Sequence, residues 1–195
     1  MPDYAEIGGV LFRAFPANAG QLKAFYPHDG MTNAVMTIEY EHHEIHGGSM
    51  FRAGENASLE NNGTRSILIV TPDTTKWAHL QYSLSSTLEV EFEFYEDGNI
   101  TGGTAVTTYN RNRNSSTVSG VLVYHTPTIT TTGTLLAQRR EGAGKSAGTQ
   151  TLGVAEWILK QNAKYLFRVT SRAGAGTTNY INWWIVWYEH TSVIT

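Results

Sequence analysis

The chain is 195 residues long, carries a net charge of −3 with only 16% charged side chains, and contains no cysteine. The missing thiols exclude disulfides, thiolate metal sites and thiol catalysis, and the charge balance argues against nucleic acid as a partner of the whole molecule. No apolar run approaches the ~20 residues that cross a bilayer as a helix, and Asp3 and Glu6 stand where a secretory signal needs uninterrupted apolar residues, so no membrane partner is expected.

Residues 1–33 read as an N-terminal arm or lead-in segment, rich in Ala, Gly and Pro, with spaced aromatics at Tyr4, Phe12, Phe15, Phe25 and Tyr26. Pro16 and Pro27 interrupt any long regular element, and a short helix is expected over 17–26. Spaced aromatics suit either a docking arm or a cap on one end of a larger domain. From residue 34 strand signals become frequent. Residues 35–46 alternate through Met36, Ile38 and Tyr40, and 66–70 form a β-branched run before the Thr71-Pro72-Asp73 turn. Strands are further expected over 77–83, 88–96, 105–109, 120–125 and 133–139. Residues 157–160 and 165–170 look like the two arms of a hairpin joined through Gln161-Asn162-Ala163, and 180–189 closes the series.

Two of these segments carry most of the fold argument. In 88–95 every even position is apolar, while the odd positions are Glu89, Glu91, Glu93 and Tyr95. That alternation sets one face of a strand against a core and turns carboxylates to the other. In 180–189, Ile181, Trp183, Ile185 and Trp187 share one face, and Tyr180, Trp184, Val186 and Tyr188 share the other. A strand apolar on both sides is either central and covered, or faces the core on one side and another subunit on the other. The expected fold is all-β: a two-sheet antiparallel sandwich over 34–195, jelly-roll-like with two four-stranded sheets, preceded by the arm.

Candidate chemistry is sparse. In a strand, His42, Glu44 and His46 would project from one face, but three alternate residues diverge, so no metal site is expected there. Glu141-Gly142-Ala143-Gly144-Lys145-Ser146 echoes a phosphate loop but has Arg139 where the pattern needs its first glycine, and no nucleotide cofactor is expected. No Gly-x-Ser-x-Gly elbow occurs, and no catalytic residue is assigned.

The ordered segments Ile38-Glu39-Tyr40-Glu41-His42-His43-Glu44-Ile45-His46-Gly47-Gly48-Ser49, Thr71-Pro72-Asp73-Thr74-Thr75-Lys76-Trp77-Ala78-His79, Tyr109-Asn110-Arg111-Asn112-Arg113-Asn114, Gly142-Ala143-Gly144-Lys145, Ile158-Leu159-Lys160-Gln161-Asn162 and Trp187-Tyr188-Glu189-His190 resemble those of small auxiliary head proteins of tailed bacteriophages, the decoration or cement proteins. The likeness covers residues 34–191 and lies in the order of the segments. It implies a virion protein without catalytic activity, on the outer surface of the head. There it would bridge neighbouring subunits of the major capsid protein as a homotrimer, with many weak contacts adding up through avidity. The residues expected at the oligomer or capsid interface are Tyr4, Phe12, Phe15, Tyr40, His42, His46, Trp184, Tyr188 and His190. Two other classes stay open: a glycan-binding module that stacks sugar rings on Trp77, Trp183, Trp184 or Trp187, and a metal-dependent sandwich enzyme of the cupin kind.

Overall fold

The computed structural model describes residues 4–7, 10–13, 40–142 and 156–191. The chain divides into two compact units, Met1–His43 and Glu44–Thr195. In the first, β1 (Tyr4–Ile7) and β2 (Val10–Arg13) form an antiparallel hairpin with Tyr4 opposite Arg13 and Ala5 opposite Phe12. The helix expected over 17–26 and the expected contact residue Phe15 lie outside the described residues.

The second unit is an all-β antiparallel sandwich. Its strands are β3 (Met50–Leu59), β4 (Thr64–Val70), β5 (Trp77–Ser86), β6 (Val90–Glu96), β7 (Asn99–Thr101), β8 (Thr104–Ala105), β9 (Tyr109–Asn110), β10 (Leu122–His125), β11 (Thr128–Thr131), β12 (Thr134–Glu141), β13 (Trp157–Leu159), β14 (Lys164–Ser171) and β15 (Asn179–His190). One sheet runs β12-β6-β14-β4-β10-β8, the other β13-β5-β15-β3-β9, and β7 and β11 form a separate ribbon. The sheets therefore hold six and five strands where four each were expected. Among the described strands of this unit, no two that follow one another in the chain pair with each other. The chain instead crosses between layers at nearly every connection.

The core lies between the two sheets. Strand β6 behaves as its alternation requires: Val90, Phe92 and Phe94 are buried, and Glu91 and Glu93 turn outward. Phe94 stacks on Phe167 of β14 at 4.4 Å, and Phe92 stacks on Tyr82 of β5 at 4.9 Å, so aromatic rings join the layers. The outward carboxylates are not a free ridge. Glu93 accepts hydrogen bonds from Arg168 at 2.7 and 3.0 Å, Glu91 pairs with Arg172, and Glu89 pairs with Arg140 at 3.2 Å. The arginine hydrogen bonds hold the Glu91 and Glu93 carboxyls below the ordinary carboxylate range. Farther along the same outer face, Leu68, Tyr95 and Leu166 are covered by Ile100 of β7, with Ile129 of β11 beside them.

Strand β15 is central in the five-stranded sheet, hydrogen-bonded to β3 and β5 along its length. A buried polar residue pins each end. At the start, the Asn179 amide accepts from Leu88 N at 2.9 Å and donates to Glu89 O at 3.0 Å. At the far end, the buried Glu189 carboxylate accepts from Ser119 Oγ at 2.6 Å, Gly120 N at 3.1 Å and Trp187 Nε1 at 3.0 Å. Burying a carboxylate is costly unless its lone pairs are filled, and here the loop after β9 fills them.

Two expectations are corrected. The segment 35–46 does not end as a strand: Tyr40–Gly47 is helix α1. Beyond Tyr40 the run Glu41-His42-His43-Glu44-Ile45-His46 has a single apolar residue and supplies no alternating apolar set. Two glycines then end the helix, with Gly48 at φ 71° in the left-handed region. Gly48 N donates to Ile45 O and Ser49 N to Glu44 O, both at 3.1 Å, closing the helix C-terminus in a Schellman motif. The supposed hairpin of 157–170 is also absent. Strand β13 pairs with β5 in one sheet and β14 with β4 and β6 in the other, so Gln161-Asn162-Ala163 bridges the two layers. That bridge is fixed by Thr71, whose hydroxyl donates to Lys160 O at 2.7 Å and accepts from Ala163 N at 2.9 Å.

Glu189→Ala leaves several buried donors without an acceptor and is expected to cost about 3 kcal/mol or more in urea unfolding. Arg140→Ala, which breaks an exposed pair, is expected to cost less than about 1 kcal/mol; equal effects would refute the anchoring role of Glu189.

Candidate functional site

The outer face of the five-stranded sheet carries the unusual side chains. Strand β15 alternates there as its sequence predicts: Ile181, Trp183, Ile185 and Trp187 point into the core, and Tyr180, Asn182, Trp184, Val186 and Tyr188 point out. The outward set has two environments. Val186 and Tyr188 are buried with Met50, and Ile45 of α1 packs against them. Beyond that cover, Trp184 and Tyr180 remain 37% and 58% exposed.

In the covered zone, His79 of β5 lies directly opposite Tyr188. Its imidazole stacks on the Tyr188 ring at 4.5 Å and on the His190 ring at 4.6 Å. His79 Nδ1 and the Tyr188 hydroxyl both donate to Glu156 Oε1, each at 2.8 Å. A carboxylate only accepts, so this contact puts a proton on Nδ1. His79 Nε2 is then shut off from solvent and has no hydrogen-bond partner among the described residues. A histidine oriented by a carboxylate can act as a base, but it needs a hydroxyl or water within reach of Nε2. No side-chain hydroxyl lies within hydrogen-bond distance of it among the described residues. Burial pushes the Glu156 carboxyl up, and the hydrogen bonds from His79 and Tyr188 outweigh it, leaving the group below the ordinary range. Two large apolar side chains flank this cluster in the open: Trp77, opposite His190, is 41% exposed, and Ile158, opposite His79 on the edge strand β13, is 54% exposed.

The open zone is different chemically. The outward residues of β3 there are Arg52, Gly54, Asn56 and Ser58, opposite Val186, Trp184, Asn182 and Tyr180 in turn. The Arg52 guanidinium sits 5.3 Å from the Trp184 ring centre. Tyr109 of β9 is opposite Arg52 on its other side, and Arg113 lies over the Tyr109 ring at 5.5 Å. Gly54 is required by the packing: a Cβ there would come within 2.6 Å of Trp183 O and 2.8 Å of Trp184 Cβ. The bare backbone lets the tryptophan side chain lean across β3.

The expected contact residues are thus dispersed. Tyr188 and His190 meet in one cluster, and Trp184 stands outside it on the same face. Tyr4 and Phe12 lie on the β1–β2 hairpin, whose side chains fall outside the described residues, and Phe15 is outside them altogether. Tyr40, His42 and His46 belong to α1. The single-face grouping of His42, Glu44 and His46 expected of a strand is lost, and Glu44 is buried against Ser49. Among the described residues no three His, Asp or Glu side chains are gathered in a way that would hold a metal ion. Of the four tryptophans weighed as sugar platforms, Trp183 and Trp187 are core residues, and only Trp77 and Trp184 face solvent. Arg52, His79 and Tyr109 join the face through cross-strand pairing and Glu156 through hydrogen bonds from His79 and Tyr188, which no local pattern announces, although Trp77-Ala78-His79 does place Trp77 and His79 on one side. No family model matches the chain, and no curated protein or solved structure matches it.

Glu156 is charged at a lower pH in the folded chain than in the unfolded one, so its contribution to stability is complete above the unfolded value and is lost as pH falls through the folded one. Glu156→Gln should therefore make the acid-side fall of the thermal midpoint shallower; an unchanged slope would show that the His79–Glu156 contact adds nothing to folding.

Proposed function

We propose that this chain is a structural virion protein that binds the outside of a tailed-phage head and cements neighbouring major capsid subunits, acting as a homotrimer. The ordered segments that resemble decoration proteins support this reading. So does the form of the second unit, a sandwich whose layers are tied by aromatic stacking and buried polar anchors. A clasp must transmit force without yielding, and it needs adhesive surface more than a cavity.

The observation that carries the reading is the pair Trp77 and Ile158, large apolar side chains held in the open at the β13 side of the sheet, beside Tyr188 and His190. Aromatic and aliphatic anchors of this kind are the residues that dominate protein interfaces when a partner desolvates them. Tyr188 and His190, expected at the interface from the sequence, are the shoulder on which that patch rests.

Heads assembled without the protein should release DNA at a lower temperature, and adding the purified chain should restore the wild-type value at hundreds of copies per particle. The double variant Trp77→Ala/Ile158→Ser should weaken head binding by about 2 kcal/mol while its thermal midpoint stays near wild type. Heads indifferent to the protein, or a handful of copies per virion by quantitative mass spectrometry, would overturn the proposal.

A further inference from the structure

The open zone of the same sheet has a chemistry of its own. Along β15 the outward order is Tyr180, Asn182, Trp184, and the flanking outward residues are Asn56 and Ser58 on β3 and Ser83 and Ser85 on β5. None of these is charged. At one end Arg52 lies over the Trp184 ring and Arg113 over the Tyr109 ring; at the other, past Tyr180, the Glu60 carboxylate accepts from Thr178 Oγ1 at 3.0 Å. Neither arginine makes an ion pair among the described residues, whereas Arg65, Arg139, Arg140, Arg168 and Arg172 all do. On a chain of net charge −3, this zone is basic at its Arg52 end and is lined with aromatic rings and neutral hydrogen-bonding groups.

We propose that Arg52, Trp184, Asn182 and Tyr180 form a binding site for a carboxylated oligosaccharide. Each part of that ligand meets a matching group. The indole and phenol rings offer flat apolar faces to the C–H faces of pyranose rings, much as aromatic rings pair with other weakly polarised surfaces. The Asn182 and Asn56 amides carry both donors and acceptors, as sugar hydroxyls require. Arg52 has no carboxylate partner among the described residues, and a guanidinium fork matches a carboxylate bidentately. Tyr180 and Trp184 are four residues apart on an extended strand, about 13–14 Å at the usual rise. That separation suits a short chain of sugars better than a single ring. The platform is also set in advance. Gly54 admits the tryptophan side chain, and β15 is hydrogen-bonded on both sides, so little order is lost on binding. The site is distinct from the Trp77–Ile158 patch and does not depend on a role in a virion.

The test uses the purified full chain, titrated calorimetrically and by tryptophan fluorescence with oligogalacturonate, with the same oligosaccharide after carboxyl reduction, and with a single-stranded oligonucleotide of equal charge. Saturable binding of oligogalacturonate is expected. Trp184→Ala and Tyr180→Ala should each weaken it about tenfold, an effect of the size of lost ring stacking. Arg52→Gln should abolish the preference for the carboxylated over the reduced form. Each variant is compared at an unchanged thermal midpoint, which controls for folding; Tyr180, at 58% exposure, is the more exposed of the two rings. No saturable binding of either oligosaccharide, binding untouched by all three substitutions, or equal binding of the oligonucleotide through the same residues would overturn the proposal.

Discussion

A strand that is apolar on one side and half-apolar on the other keeps one register only if slipping costs more than the burial it would exchange. A shift by one residue turns every side chain of a strand to the opposite face. For β15 such a shift would bring Tyr180, Trp184, Val186 and Tyr188 inward and turn Trp183 and Trp187 to the outer face, a trade between two bulky sets. Hydrophobicity alone discriminates weakly between them. The polar anchors decide it. Asn179 meets the Leu88–Glu89 backbone at one end, and Glu189 meets Ser119, Gly120 and Trp187 at the other. Neither can move by one position without burying unfilled donors and acceptors, at a cost of kilocalories per group. Everything displayed on the outer face inherits its place from these two clamps.

The same logic distributes charge over the molecule. The outer face of the six-stranded sheet neutralises itself, with Arg168 and Arg172 on Glu93 and Glu91, and the β7–β11 ribbon covers its apolar end. Among the described residues, the outer face of the five-stranded sheet is covered where Ile45 packs against Met50, Val186 and Tyr188. Beyond that cover, Arg52 and Arg113 rest on aromatic rings and have no carboxylate partner among the described residues. One face of the sandwich is thus chemically finished and the other is left with unused capacity. The two proposed binding surfaces both lie on the unfinished face, one apolar at the β13 side and one basic and aromatic toward β9.

Period-two patterning made much of this readable from the sequence. The burial of Val90, Phe92 and Phe94, the sidedness of Trp183 against Trp184, and the all-β two-layer class follow from alternation alone. Helix α1 was hidden because Met36, Ile38 and Tyr40 continue a strand rhythm up to its first residue; the Gly47-Gly48 pair was the local sign of a helix end. The 157–170 hairpin failed for another reason. Two short strands with a turn between them look alike in sequence whether they pair with each other or diverge into separate layers, and only the distant partners β5 and β4 settle it. The candidate site was half legible on the same grounds. Alternation shows that Trp184 and Tyr188 face outward. It cannot show that Arg52 crosses to one and His79 to the other, because those contacts depend on register between segments 100 or more residues apart.

The route of the chain through the sandwich has a kinetic consequence. Since none of the described strands of the second unit pairs with its immediate successor, almost no sheet contact can form early from a local hairpin. Such a topology has high contact order, and loops must close before any ladder rewards them, which slows folding by orders of magnitude relative to local-contact folds. The five-stranded sheet in particular stays open until β15 arrives to join β3 and β5. On the ribosome, the edges of β3 and β5 that β15 will fill would wait unpaired through the synthesis of more than half the unit, which makes this a chain whose yield should be governed by protection of nascent strands more than by the stability of the finished sandwich.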